Sequence, residues 1–229
     1  MTREHTPVGA DGLEALYPFL YAGSSDVDAV LDQVEKSTVD KVHEIVALRD
    51  QVLAADRERL FACAQDVARA FAAGGRLLAF GNGGSSTDAQ DLASLFLSPA
   101  GDARPLPAFG LTNDIAVVTA LSNDIGFDVV FARQLAAFGR PGDIAVGLST
   151  SGNSANLLRA FDEAARRGMV TVGIAGYDGG KMAELDSVDH LFVVPSPSVH
   201  RIQEAQTTLY HALWELTLGA LDELGVDQP

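Results

Sequence analysis

Two glycine- and hydroxyl-rich turns carry the plainest chemistry in this chain: Gly81-Asn82-Gly83-Gly84-Ser85-Ser86 and Ser149-Thr150-Ser151-Gly152-Asn153-Ser154. Each follows an apolar run with strand character (residues 76–80 and 144–148) and opens a helical pattern. A turn of this kind offers hydroxyls and backbone N–H groups at a helix start, where the first donors lack intrahelical partners. The partial positive charge of that helix end favours an anion, most often a phosphate. One such turn is ordinary connecting structure. Two, at equivalent points of successive strand–helix units, point to a phosphorylated small molecule.

The elements that position these turns follow from periodicity. Residues 1–24 read as an arm whose apolar members between Leu13 and Tyr21 suit docking on a partner. Residues 25–75 read as N-terminal helices, most simply two with a break near 37–40, ended by Gly74-Gly75. From residue 76 to 229 strands and helices alternate. Strands are predicted at 76–81, 105–111, 143–149, 169–175 and 190–195. Helices are predicted at 85–97, 115–122, 127–138, 154–167, 180–185 and 200–224. Strands joined by helices imply a parallel sheet covered on both faces, an α/β three-layer αβα sandwich with five strands and an N-terminal helical extension. Ligands of such sheets bind beyond the carboxyl ends of the strands, where both turns lie.

Composition narrows the partners. Against 31 Asp and Glu the chain has 16 Lys and Arg, a net charge of −15, which opposes nucleic acid and anionic membranes. An anionic ligand must therefore be held by local donors. Hydrophobic residues make up 47%, enough for a sizeable core, yet no run approaches a membrane span. The N-terminus has no apolar signal core, and a cytoplasmic protein is expected. The single cysteine, Cys63, lies in an apolar helical pattern and reads as a buried thiol. His43 and His190 read as structural, and Trp214 as core or interface.

At its motifs the chain resembles the sugar isomerase (SIS) domain family, and within it the phosphoheptose isomerases, which interconvert sedoheptulose 7-phosphate and an aldoheptose 7-phosphate. The matching stretches are Gly81 to Ser85 with Asp88-Ala89-Gln90, Asn123-Asp124-Ile125-Gly126-Phe127, and Ser149 to Asn156. Asp178-Gly179-Gly180-Lys181-Met182 and Arg201-Ile202-Gln203-Glu204 complete them. The resemblance implies that Ser85, Ser149, Thr150, Ser151 and Ser154 hold the phosphate. It implies that Asn82, Gly83, Asp124 and Gln203 contact the sugar. It further implies a homotetramer with sites between subunits.

The family's catalytic helix is altered here. Where the family places a zinc-binding histidine and, four residues on, a glutamate base, this chain has Asp91 and Leu95; Pro99 replaces a family arginine. The family's glutamine and histidine, eight apart on one helical face, remain as Gln203 and His211. His200 stands where the family carries an aspartate. Asp91, His200, Gln203 and His211 thus form an O/N set suited to zinc or another divalent metal. Alternatively, Asp91 or His200 serves as base and His211 as acid in an aldose–ketose isomerisation. The rival expectation is a non-catalytic sugar-phosphate sensor or partner-binding protein, of the replication-initiator-binding type or an inactive paralogue in a mixed oligomer.

Overall fold

The computed structural model describes residues 27–101 and 103–225. Expectations for the arm at residues 1–24 fall outside them. The chain divides into two compact units between Glu44 and Ile45. In the first, the described residues belong to helix α1 (Val27–Ala72), and Val30, Leu31, Val34, Val39 and Val42 are exposed.

The break expected near 37–40 is absent, for α1 is one helix of 46 residues. The reason lies in Thr38. Its hydroxyl donates to the Val34 carbonyl at 2.8 Å, one turn back, so it is satisfied inside the helix instead of capping a new one.

The second unit begins with the remainder of α1 and continues as β1 (Leu77–Gly81), α2 (Gly84–Leu97), β2 (Ala108–Gly110) and α3 (Ile115–Asp124). A 3-10 turn (Phe127–Val129) leads into α4 (Val130–Phe138), then β3 (Ile144–Leu148), α5 (Ala155–Arg166) and β4 (Val170–Gly176). A 3-10 turn (Gly180–Glu184), β5 (His190–Val194) and α6 (Val199–Glu223) complete it. All five strands pair in parallel, in the order β2-β1-β3-β4-β5. The five-stranded α/β sandwich expected from the alternation is what forms.

Alternation along β1 divides the core. Leu77 and Ala79 face a layer built by α1, α2 and α6, which includes Leu92, Phe96, Leu209 and Tyr210. Leu78 and Phe80 face α4 and α5, where Phe131 and Phe161 pack on Phe80 with ring centroids 5.4 Å away. Burial on both faces explains why the strands read as continuous apolar runs. Cys63 is fully buried in the first layer, and burial pushes its thiol well above the ordinary range, so it is inert packing. His190 accepts its structural role through a 2.8 Å contact with Asp66 of α1.

The strand order also fixes the site. From β1 the chain crosses to β2 on one side; from β3 it crosses to β4 on the other. The crevice between the carboxyl ends of β1 and β3 is therefore the topological switch point, the place where open α/β sheets receive ligands.

Candidate functional site

Gly81 of β1 pairs with Leu148 of β3, so the two turns leave the sheet side by side at the same level. Their crossovers are tied directly. Asn82 Nδ2 donates to Asn156 Oδ1 and Asn156 Nδ2 donates to Asn82 Oδ1, both at 2.9 Å. The hydroxyl-rich segments expected at a single site are thus brought together at the switch point.

The second turn keeps its donors available. Ser149 Oγ accepts from the Gly152 N–H at 3.0 Å, and Ser151 Oγ accepts from the Asn153 N–H at 3.2 Å. Each hydroxyl thereby spends an acceptor site on the turn and retains its proton for an anion. Ser154 caps α5 in an extended conformation without a side-chain cap bond, leaving its hydroxyl to another acceptor, while its carbonyl takes the Leu157 and Leu158 N–H groups. Ser85 is buried at the start of α2, while the adjacent Ser86 shares a 2.6 Å hydrogen bond with Thr112.

The Asp178–Met182 motif buttresses this turn from behind. Gly152 sits at φ +65°, and a Cβ there would lie 1.9 Å from the Gly179 carbonyl oxygen. Met182 N–H donates to the Gly152 carbonyl at 2.9 Å, and Lys181 N–H to Asn153 Oδ1 at 3.0 Å. Lys181 contributes its backbone here.

A second cluster lies where α2 meets α6. Gly84 permits the approach, since a Cβ would meet Gln203 Nε2 at 2.3 Å. Gln203 donates to Asp88 Oδ2 at 3.1 Å. One turn along, Tyr210 donates its phenolic proton to Asp91 Oδ2 at 2.7 Å, and His211 Nε2 stands 3.9 Å from the same oxygen. Burial raises the Asp88 carboxyl above its ordinary value; the Gln203 hydrogen bond opposes this and the Asp91 charge adds to it.

Of the expected catalytic residues, Asp91 and His211 are brought together and His200 is not joined to them. His200 is exposed in the first turn of α6. Eleven residues separate it from His211, about 16 Å along the helix axis, whereas ligands of one metal lie within about 4 Å of each other. Within one chain the set Asp91, His200, Gln203 and His211 therefore does not gather around one zinc ion. Gln203 is also engaged by Asp88, and Leu95, one turn beyond Asp91, packs against the core and offers no ligand atom. Among the described residues no group of three or more His, Cys, Asp or Glu is gathered to hold a metal. Asp124, expected at the sugar, ends α3 exposed and accepts from the neighbouring Asn123 at 2.8 Å.

Sequence reasoning missed Asn156, Asp88 and Tyr210 as site components. A signal existed for the latter two. Asp88 and Asp91 are three apart on α2, and Gln203, Thr207 and Tyr210 follow a four–three spacing on α6, so each set shares a helix face.

Residues 42–176 match the model of the SIS domain family. The chain is 40% identical over 193 residues to the phosphoheptose isomerase of a Roseiflexus species, covering 84% of this chain and 97% of that one. It is 47% identical over 159 residues to that of Burkholderia pseudomallei, covering 67% and 80% respectively. A solved phosphoheptose isomerase from Neisseria gonorrhoeae superposes with a TM-score of 0.73 at 36% identity, covering 80% of this chain and 99% of that one. Paired turns at the switch point, the matching family model and relatives covered over most of their length lead to one conclusion: this chain belongs to the SIS domain family, among its phosphoheptose isomerases.

Proposed function

We propose that the chain binds a phosphorylated sugar at the β1/β3 crevice and interconverts its ketose and aldose forms, with a heptose 7-phosphate as the favoured substrate. The observation that carries binding is the Asn82–Asn156 clasp, which holds both donor-rich turns at one point. In this reading Ser149, Thr150, Ser151 and Ser154 take the phosphate, with Ser85 at the start of α2, and Asn82, Gly83 and Gln203 border the sugar.

Asp91 and His211 carry the chemistry. For a ketose, Asp91 removes a proton from C1 while His211, protonated, donates to the C2 carbonyl oxygen, giving an enediol. His211 then takes the C1 hydroxyl proton as the new carbonyl forms, and Asp91 returns its proton to C2. Protons balance and no external oxidant or reductant enters. No step runs through a metal, because the donor set does not fit one.

Leu95 favours a second reading. Packed against the core where relatives of the resemblance carry a base, it suits a protein that binds the sugar phosphate without turning it over. Calorimetry and turnover with sedoheptulose 7-phosphate separate the two. Binding with slow interconversion, lost in Asp91→Ala, supports the isomerase. Binding with no product supports the sensor. No heat with any hexose or heptose monophosphate overturns both.

A homo-oligomer is part of the proposal. In the second unit α1 exposes Val46 and Phe61, and Leu53, Phe61 and Leu216 line an open groove that Arg57, Glu58 and Glu215 border. Sedimentation of the full chain should show a tetramer; a monomer at micromolar concentration would overturn this. No described helix is long and apolar enough to cross a membrane.

A further inference from the structure

We infer that Tyr210 is a positioning residue that aims the Asp91 carboxylate for proton transfer. This rests on the isomerase reading above and assigns a role which that reading leaves open. Tyr210 is 1% exposed, with its ring packed into the α1–α2–α6 layer, yet its hydroxyl emerges at Asp91 Oδ2 at 2.7 Å. The Asp91 side chain is 55% exposed, so on its own it would sample several rotamers. A phenol immobilised by the core removes that freedom. With Oδ2 occupied by the phenolic proton, Oδ1 is the oxygen left to accept a proton from substrate.

The same ring sets the partner. Tyr210 and His211 lie with ring centroids 5.3 Å apart and planes inclined by 27°, so the phenol and the imidazole are ordered together. Burial pushes the phenol well above its ordinary value; the Thr207 hydrogen bond opposes this, and the Asp91 and Asp88 carboxylates add to it. Tyr210 therefore remains a donor and does not compete with Asp91 as base. A phenylalanine would fill the same core space. Only the hydroxyl needs explaining, and it meets Asp91 and, at 3.4 Å, Thr207.

The test is a double-mutant cycle in the full chain with sedoheptulose 7-phosphate, comparing wild type, Tyr210→Phe, Asp91→Asn and the double variant. Tyr210→Phe is expected to lower kcat by about tenfold, equivalent to 1.4 kcal/mol, with KM and the calorimetric Kd within about twofold of wild type. In the Asp91→Asn background the same change should cost nothing further. Wild-type turnover that Tyr210→Phe leaves intact overturns the inference alone, as does an equal loss in both backgrounds. A wild type that binds the sugar phosphate without turnover overturns the isomerase reading and this role with it. Should Tyr210→Phe fail to fold, the Tyr210 hydroxyl proton in ring-labelled wild type decides the matter. It should exchange slowly with water and lose that protection in Asp91→Ala; fast exchange in wild type overturns the inference.

Discussion

Asn82 and Asn156, 74 residues apart, exchange two hydrogen bonds of 2.9 Å across the β1/β3 crevice. Asn156 is 2% exposed, so its amide has no water to fall back on. Each side chain uses one donor and one acceptor on the other, which leaves Asn82 a second N–H for a ligand. Replacing Asn156 with Ala is expected to cost about 1–2 kcal/mol in urea unfolding, since the amide of Asn82 loses both partners. Affinity for a sugar phosphate should fall with it. Unchanged calorimetric affinity would show that the clasp does not organise the site.

Gly152 gives a sharper contrast. Its φ of +65° and the Gly179 carbonyl oxygen, which lies where a Cβ would have to go, leave no room for a side chain. Gly74, at φ +86°, has nothing within 4 Å and isolates the backbone term. Gly74→Ala should cost about 1–2 kcal/mol with binding intact. Gly152→Ala should cost more and abolish ligand binding, because the turn can accommodate the methyl only by leaving Gly179. Equal effects of the two on affinity would disprove the buttress.

Asp88 provides a pH dependence whose sign follows from its environment. Burial raises its folded-state value above the ordinary 3.8, so the native state binds this proton more tightly than the unfolded chain. Its contribution to stability therefore declines as pH rises from near 3.8 through the raised value, and stays reduced above it. Asp88→Asn, which can still accept from Gln203, should be more stable than wild type at neutral pH. The gap should close in acid. A gap that widens as pH falls would reverse the assignment.

Leu95 and Asp91 offer a gain of function. The combined Asp91→His, Leu95→Glu variant restores the residues that the family resemblance associates with zinc, beside a His211 already in place. Zinc by elemental analysis should rise to about one ion per chain, whereas wild type should carry none. Burying a carboxylate beside the core is expected to cost stability until metal is supplied, so zinc should raise the variant's Tm and leave the wild type's unchanged. Stoichiometric zinc in wild type would overturn the reading of this cluster.

Much of the architecture is legible in the sequence. Strands buried on both faces must read as unbroken apolar runs, and Leu77 to Phe80 and Ile144 to Leu148 do. Glycine and hydroxyl residues at the strand ends marked both turns, because helix starts need donors and acceptors of that kind. The helix break expected near 37–40 does not form, and there the Thr38 hydroxyl bonds back to the Val34 carbonyl of its own helix.

Local chemistry and periodicity by themselves determined the residue inventory, the element types and the end of the sheet at which a ligand sits. The tertiary structure alone decided which members of that inventory meet. Asp91 lies 119 residues from Tyr210 in sequence, and only the packing of α2 on α6 puts them in contact. His200 and His211, both plausible ligands by type, are separated by the rise of the helix they share. Spacing along a chain constrains neighbours on one element; distances between elements come from the core that joins them.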